Sequence, residues 1–373
     1  MIEKPSICLN MIVKNESKVI TRCLDSVKDM LDYWVISDTG STDGTQQIIR
    51  DYFAQHGIDG ILLENEWQNF GYNRNLALQQ ALGKADYILI MDADDQLIKT
   101  DAYRFNNLAA DRYLIKMHRE GITYYFPKLI NGTLPWYWEG VLHEYLYCYL
   151  PYTSAKLSDD CQIHSTTDGA RSQNPHKYLD DARILEKALE TEPHNDRYQF
   201  YLAQSYRDAG YPEKALTHYQ KRVTMGGWHE EVYYSLLEVA HHKSKLDHPL
   251  LEVLDAYVTA YHYRPQRLEA LCEAVRICRI NKHYRLGYQL GSTAKDTPLP
   301  NDVLFLDPGV YHWQFIDELS ICAIYTGQLQ QATDMLMKLL DNPQTPDDQK
   351  PRIENNLKFA QKTLDRHPIP AIE

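Results

Sequence analysis

Residues Tyr87 to Asp95 read YILIMDADD, an apolar run with carboxylates at its end. Tyr, Ile, Leu, Ile and Met have the length and β-branched character of a buried parallel strand. Asp92, Asp94 and Asp95 then emerge at the carboxyl edge, where open α/β sheets bind ligands. Two carboxylates one residue apart can give oxygens to a divalent cation, and a diphosphate can complete the shell of the same ion. A solitary Asp-x-Asp is more often a solvated acidic turn. Here a second strand ends the same way: Tyr33 to Thr45 read YWVISDTGSTDGT, so Asp38 leaves an apolar run just before a Gly-rich loop and a helix. Two such edges in one sheet point to a nucleotide and metal site.

The elements that must position these carboxylates alternate. The pattern predicts strands over Ile7 to Val13, Tyr33 to Asp38, Gly60 to Asn65 and Tyr87 to Asp92, and helices over Lys18 to Leu31, Thr45 to His56 and Asn73 to Leu82. Repeated βα units imply an α/β, mostly parallel sheet. From Arg112 to Leu150 the helical period is lost, and RYLIKMH, TYYFPKLI and GVLHEYLYCYL predict short strands that extend the sheet. In the last of these, alternation sends His143 and Glu144 to opposite faces, so one of them enters the cleft. A carboxylate in a partly desolvated pocket suits a general base. Arg74, opening the third helix, can pair with a diphosphate or hold the acidic loop in place. Trp136 and Trp138 beside Glu144 are candidates for stacking on a sugar acceptor, in competition with core packing. Arg171, in the polar stretch STTDGARSQNP, can fold over a diphosphate and stabilise the departing charge.

From about Pro175 onward strands disappear and helix pairs recur. Leu202, Ala203, Tyr206, Gly210, Ala215 and Tyr219 fall at tetratricopeptide-repeat positions, although Arg222 stands where that pattern prefers Ala. Leu319, Ser320, Ala323, Gly327, Ala332 and Leu336 give a second match. Tyr257, Ala260 and Pro265 close a looser repeat, Ala270 to Ala294 a degenerate one, and Asp347 to about Arg366 reads as a capping helix. The expected division is an α/β domain over 1–172 and an all-α helical solenoid over 173–373.

Bulk properties exclude several classes. At 373 residues, 44% hydrophobic and 24% charged, the chain has enough apolar content for packed cores. A net charge of −12 argues against a nucleic-acid partner, which calls for clustered Lys and Arg. No apolar run approaches the ~20 residues of a transmembrane segment, and MIEKPSICLN lacks the apolar core of a signal peptide. Seven scattered cysteines without CxxC spacing read as reduced thiols, so a cytoplasmic location is expected.

The segments VKNE (Val13 to Glu16), SDTGSTDGT, NFGYNRNLAL (Asn69 to Leu78) and DADD occur in an order that resembles the inverting glycosyltransferases of family 2, which have the GT-A fold. WEGVLHEYL (Trp138 to Leu146) resembles the branch that includes lipopolysaccharide core glucosyltransferases, and the repeats resemble those of bacterial peptide S-glycosyltransferases. The resemblance implies Asp38 as the uracil contact, Glu16 near the nucleoside (evenly matched against a helix cap), Asp92 near ribose and metal, Asp94 as metal ligand and Glu144 as base. His164, near the end of the sheet domain, matches the place where such enzymes take a further metal ligand. The implied function is transfer of a hexose from a nucleotide sugar, foremost a UDP-hexose, with Mn²⁺ or Mg²⁺ as cofactor. The acceptor would be a hydroxyl or thiol of a protein, peptide or glycan. The short stretch between Asp95 and Gly140 leaves the repeats to supply part of the acceptor surface, and a homodimer through the repeats stays open. The rival reading is a non-catalytic nucleotide-binding adaptor whose repeats hold a protein partner.

Overall fold

The computed structural model of the chain describes residues 4–100 and 103–366. It divides into two compact units, one ending at Thr191 and one beginning at Glu192. In the first unit the elements run β1 (Ile7–Val13), α1 (Ile20–Val27), β2 (Tyr33–Asp38), α2 (Thr45–His56), β3 (Gly60–Glu64), α3 (Phe70–Ala81), β4 (Tyr87–Ile90), β5 (Asp95–Lys99), β6 (Arg112–Arg119) and β7 (Ile122–Asn131). They continue with β8 (Tyr137–Glu139), β9 (Tyr145–Tyr147), β10 (Ser154–Lys156), β11 (Cys161–Ser165) and α4 (Lys177–Thr191).

The main sheet has the order β3-β2-β1-β4-β7-β6-β11-β5, with β10 beside β6. It is mixed. β3, β2, β1 and β4 are parallel; β7 runs antiparallel to both β4 and β6. The chain builds β1, β2 and β3 outward, then α3 carries it back across the sheet to place β4 on the other side of β1. That reversal opens a crevice at the carboxyl ends of β1 and β4, the place where sheets of this kind take ligands.

Alternation along the strands assigns the two faces. Leu9, Met11, Ile36, Leu89 and Met91 join one core with Cys23, Leu24 and Val27 of α1 and Ile49 and Phe53 of α2. Cys8, Val35, Ile88 and Ile90 point the other way and pack under Leu78 and Ala81 of α3, with Trp136, Trp138 and Leu146. The predicted strand through Gly140 to Tyr147 is interrupted. Gly140 has φ +102° and His143 φ +52°, so the chain turns there, and only β8 and β9 pair, as a separate two-stranded sheet.

In the second unit α5 (Asp196–Asp208), α6 (Pro212–Met225), α7 (His229–Lys245), α8 (Leu250–Tyr263), α9 (Glu269–Ile280), α10 (Tyr284–Gly291), α11 (Phe315–Tyr325), α12 (Leu329–Asp341) and α13 (Lys350–Arg366) pack on their neighbours in sequence, as tetratricopeptide-like helix pairs do. Leu202, Ala203, Tyr206, Ala215 and Tyr219 are buried between α5 and α6. The irregular Arg222 is fully buried: its guanidinium donates to the Glu231 carboxylate at 3.0 Å and to the Gly226 carbonyl, closing the α6–α7 corner that Ala would leave to water. All seven cysteines are buried and unbridged. Among the described residues no helix is long and apolar enough to cross a membrane.

Candidate functional site

The DADD run turns sharply as it leaves β4. Asp95 is fully buried, and its Oδ2 accepts the Asp92 backbone N–H at 3.1 Å and the Lys128 ammonium at 2.9 Å. Asp92 accepts from Arg74 Nη2 on Oδ1 at 2.7 Å and from Lys128 Nζ on Oδ2 at 3.3 Å. Arg74 then donates through Nε to Glu144 Oε1 at 2.7 Å, its guanidinium 5.1 Å from the Trp138 ring centre. One guanidinium therefore joins the strand-end carboxylate to the carboxylate proposed as a base. Burial opposes the charges on Asp92, Arg74 and Lys128, but their mutual attraction outweighs it. Asp92 is held below the usual carboxylate range, and Arg74 and Lys128 are held above their ordinary values.

Helix α3 locates that guanidinium. Asn69 caps it, accepting the Tyr72 N–H at 2.8 Å. Its first turn sits so close to the Gly140 turn that a Cβ on Gly71 would lie 2.0 Å from the Gly140 carbonyl oxygen. Phe70 N–H donates to the Val141 carbonyl, and the Asn75 amide bonds both the N–H and the C=O of Trp138. The turn carrying Glu144 is thus fastened to the helix carrying Arg74.

Across the crevice, the β1–β2 register places Val13 beside Asp38. Asp38 is almost wholly buried. Its Oδ1 accepts from the Gly40 and Ser41 N–H groups and from Gln46 Nε2, while its buried Oδ2 meets no protein donor among the described residues. Asp38 therefore shapes its own loop with one oxygen and keeps the other buried without a donor among the described residues. Asn15, at φ +58°, accepts the Thr42 N–H, and Glu16 N–H donates to Thr45 Oγ1, so the VKNE turn and the Gly-rich loop are stitched together. Asp43 accepts from Ser17 and Thr45, a turn-holding role.

Residues 166–173 fold over Glu16 and Asp94. Ala170 N–H donates to Glu16 Oε2 at 3.1 Å, and Thr166 binds the Asp94 carbonyl. Gly169 presses against the Asp94 carboxylate, where a Cβ would lie 2.9 Å from Oδ2. Arg22 anchors the loop by two bonds to Asp168, both 2.8 Å. Burial, reinforced by Asp94, Asp43 and Asp92, pushes Glu16 up to about 7; burial together with Asp92 and Asp95 pushes Asp94 up to about 6. Negative charge at this edge exceeds what Arg74 and Lys128 neutralise. Such a set fits a divalent cation held by one or two carboxylates and completed by donor phosphates, the usual arrangement for Mg²⁺. It does not form an all-protein cage: among the described residues no three His, Cys, Asp or Glu side chains are grouped to hold a metal ion.

These two carboxyls fix a pH dependence. Their raised values mean the folded chain keeps protons that the unfolded chain has released, so between about pH 4 and 7 stability falls as pH rises. A cation that neutralises them should reverse the loss. Millimolar Mn²⁺ is expected to raise Tm by several degrees at pH 7.5 and by little at pH 5, read by scanning calorimetry. An equal shift at both pH values would mean that Glu16 and Asp94 do not hold the cation.

The structure gathers Asp92, Arg74 and Glu144 directly, and brings Glu16 and Asp94 under one loop. Three expectations are corrected. Trp136 and Trp138 are both core residues: Trp136 Nε1–H donates to the Asn131 carbonyl, and alternation along β8 turns Trp138 inward while Tyr137 faces solvent. Neither offers a face to an acceptor. His164 is exposed and packs edge to face on His118 at 5.2 Å, because β11 pairs with β6 there, and it joins no ligand group. Arg171 is drawn away from the acidic edge to Asp181 of α4, its guanidinium stacked 4.3 Å from the Phe70 ring centre. Lys128 is the residue that sequence reasoning missed. Its signal was a lysine inside the apolar run FPKLI, a residue type almost never buried without a partner.

Comparison with known proteins places the sheet unit. Residues 8–141 match the sequence model described as Glycosyl transferase family 2. This stretch is a family 2 glycosyltransferase domain. The match contains Glu16, Asp38, Arg74 and the DADD run, and stops just before Glu144. The chain is 34% identical over 108 residues to the SPbeta prophage-derived glycosyltransferase SunS of Bacillus subtilis, covering 29% of this chain and 24% of that protein. It is 41% identical over 93 residues to a TPR repeat-containing protein of Synechococcus elongatus, covering 25% and 21%. The matched stretches thus span about a quarter or less of these relatives. Among solved structures, S. aureus TarS 1-349 in complex with UDP-GlcNAc aligns at TM-score 0.39 and 18% identity over 70% of this chain and 92% of that one. The TPR protein YrrB aligns at 0.36 and 15% over 50% and 84%. The family 2 match lies within the first unit, and the second unit is built of helix pairs.

Proposed function

We propose that the family 2 domain transfers a hexose from a nucleotide sugar, with inversion, to a hydroxyl or thiol of a protein, peptide or glycan. The observation that carries this reading is the Arg74 bridge, which joins Asp92 at the donor edge to Glu144. A nucleotide-binding adaptor would have no use for a carboxylate fixed in that position.

The donor is read as a UDP-hexose. Asp38 Oδ2, buried and unmet by protein donors, suits the imide N–H of uracil. Asp92 is assigned to the ribose. Asp94, with Glu16 beside it, would hold a divalent cation, which when bound neutralises the diphosphate as it leaves. Glu144 is anchored through Oε1 by Arg74, so Oε2 takes the proton from the acceptor. The acceptor oxygen or sulfur then bonds to the anomeric carbon on the face opposite the nucleotide, and the bond to the diphosphate breaks. A peptide acceptor is favoured by the helix pairs of the second unit, a class of surface that binds extended peptides.

Titration of UDP, GDP and CMP by calorimetry, each with and without Mn²⁺, tests the donor. UDP is expected to bind, and more tightly with the ion. Equal, cation-independent affinity for all three would rule out the reading.

A further inference from the structure

We infer that Lys128 is a positioning residue that keeps Asp92 away from the catalytic cation, so that Asp94 alone of the DADD run meets it. This rests on the donor reading above.

Strand β7 runs antiparallel to β4, pairing Leu129 with Leu89, and Lys128 lies one residue beyond that pair, towards the end of β4. Its side chain is only 5% exposed, and Nζ lies 2.9 Å from Asp95 Oδ2 and 3.3 Å from Asp92 Oδ2. Burying an ammonium is costly, and here the cost is offset by pairing with the fully buried Asp95 carboxylate. Its place is explained by what it holds. With Arg74 on Oδ1 and Lys128 on Oδ2, both oxygens of Asp92 are engaged. No ion pair among the described residues reaches Asp94, one residue along.

The consequence concerns how firmly the ion is kept. A cation chelated by Asp92 and Asp94 together would be bound by the protein itself and would be slow to leave. With Asp92 withheld, Asp94 and Glu16 hold the ion only weakly, and the phosphates tighten it, so that it arrives with the donor and departs with the nucleotide. Lys128 would therefore exchange cation affinity for turnover.

Titration of Mn²⁺ alone, and of Mn²⁺ with UDP, into the full-length protein tests this. Lys128→Met should bind Mn²⁺ alone more tightly than wild type, by roughly tenfold, the size of a unit charge removed a few ångströms away in a polar environment. Its kcat for donor hydrolysis should fall while the Mn²⁺ concentration for half activity also falls. Lys128→Arg should keep the wild-type affinity. Because Lys128→Met leaves Asp95 buried without its partner, Lys128→Met/Asp95→Asn is the companion variant; it removes the pair at constant charge and should still tighten Mn²⁺. A lysine that acts only through its charge or its packing would tighten Mn²⁺ in the single variant at most, and predicts wild-type affinity in the double one, and that result would overturn the inference. Wild type that binds Mn²⁺ with UDP, and loses it in Asp94→Asn, while neither Lys128→Met nor the double variant tightens, refutes the inference and leaves the donor reading standing. Wild type that binds no Mn²⁺ with or without UDP refutes both.

Discussion

Glu144→Gln should lower sugar transfer, and slow hydrolysis of the donor by water, by roughly 10²–10⁴-fold, the usual size of general-base loss. The substitution keeps the shape of the side chain, and the amide oxygen can still accept from Arg74 Nε in the place of Oε1. UDP affinity should therefore stay within about twofold. That separation matters, because Arg74 also holds Asp92, and a loosened bridge would disturb the donor edge as well. Stopped-time assays of nucleotide release, paired with UDP titration, read both effects. Near wild-type turnover in the variant would place the base elsewhere.

Asp94→Asn is expected to act in opposite directions on stability and function. In the metal-free chain Asp94 is pushed up to about 6 by burial and by Asp92 and Asp95, so its charge is unfavourable at pH 8. Removing it should stabilise the fold by on the order of 1 kcal/mol, after allowance for solvent screening, or a few degrees in Tm. The same change removes the carboxylate proposed to meet the cation. The Mn²⁺-dependent part of UDP binding should vanish, and turnover should drop by at least about a hundredfold, in keeping with loss of Lewis-acid stabilisation of the leaving group. A sites-for-stability exchange of this kind is what a carboxylate retained for function predicts. An unchanged enhancement of UDP binding by Mn²⁺ would remove Asp94 from the metal.

Much of this architecture was legible locally. The strands Ile7–Val13 and Tyr33–Asp38 and the helix Thr45–His56 fall where their apolar periodicity places them, since each is bounded by turn residues that end the pattern. The third helix begins at Phe70, earlier than the periodicity placed it, because Asn69 caps it and the cap, not the apolar stripe, sets the start. The alternation in GVLHEYLY was misleading. Left-handed backbone at Gly140 and His143 breaks it, so Glu144 reaches Arg74 from a turn and not from a strand. Lys128 was hidden for another reason. Its role depends on β7 running antiparallel beside β4, a pairing between distant segments that no local pattern announces. The tryptophans show the limit of residue type as a guide: an aromatic beside a base is as readily a wall of the core as a platform for a sugar, and register decides which.

Sugar transfer is proposed for a site built from Asp38, Asp94 and Glu144. The most direct measurement is release of nucleotide from a panel of nucleotide sugars by the full-length protein, with Mn²⁺ and with Mg²⁺, beside Glu144→Gln under the same conditions. Cation-dependent release of UDP from at least one UDP-hexose is expected for the wild type, abolished by the substitution while UDP still binds. No release from any nucleotide sugar with either ion, or release that Glu144→Gln leaves unchanged, would contradict it.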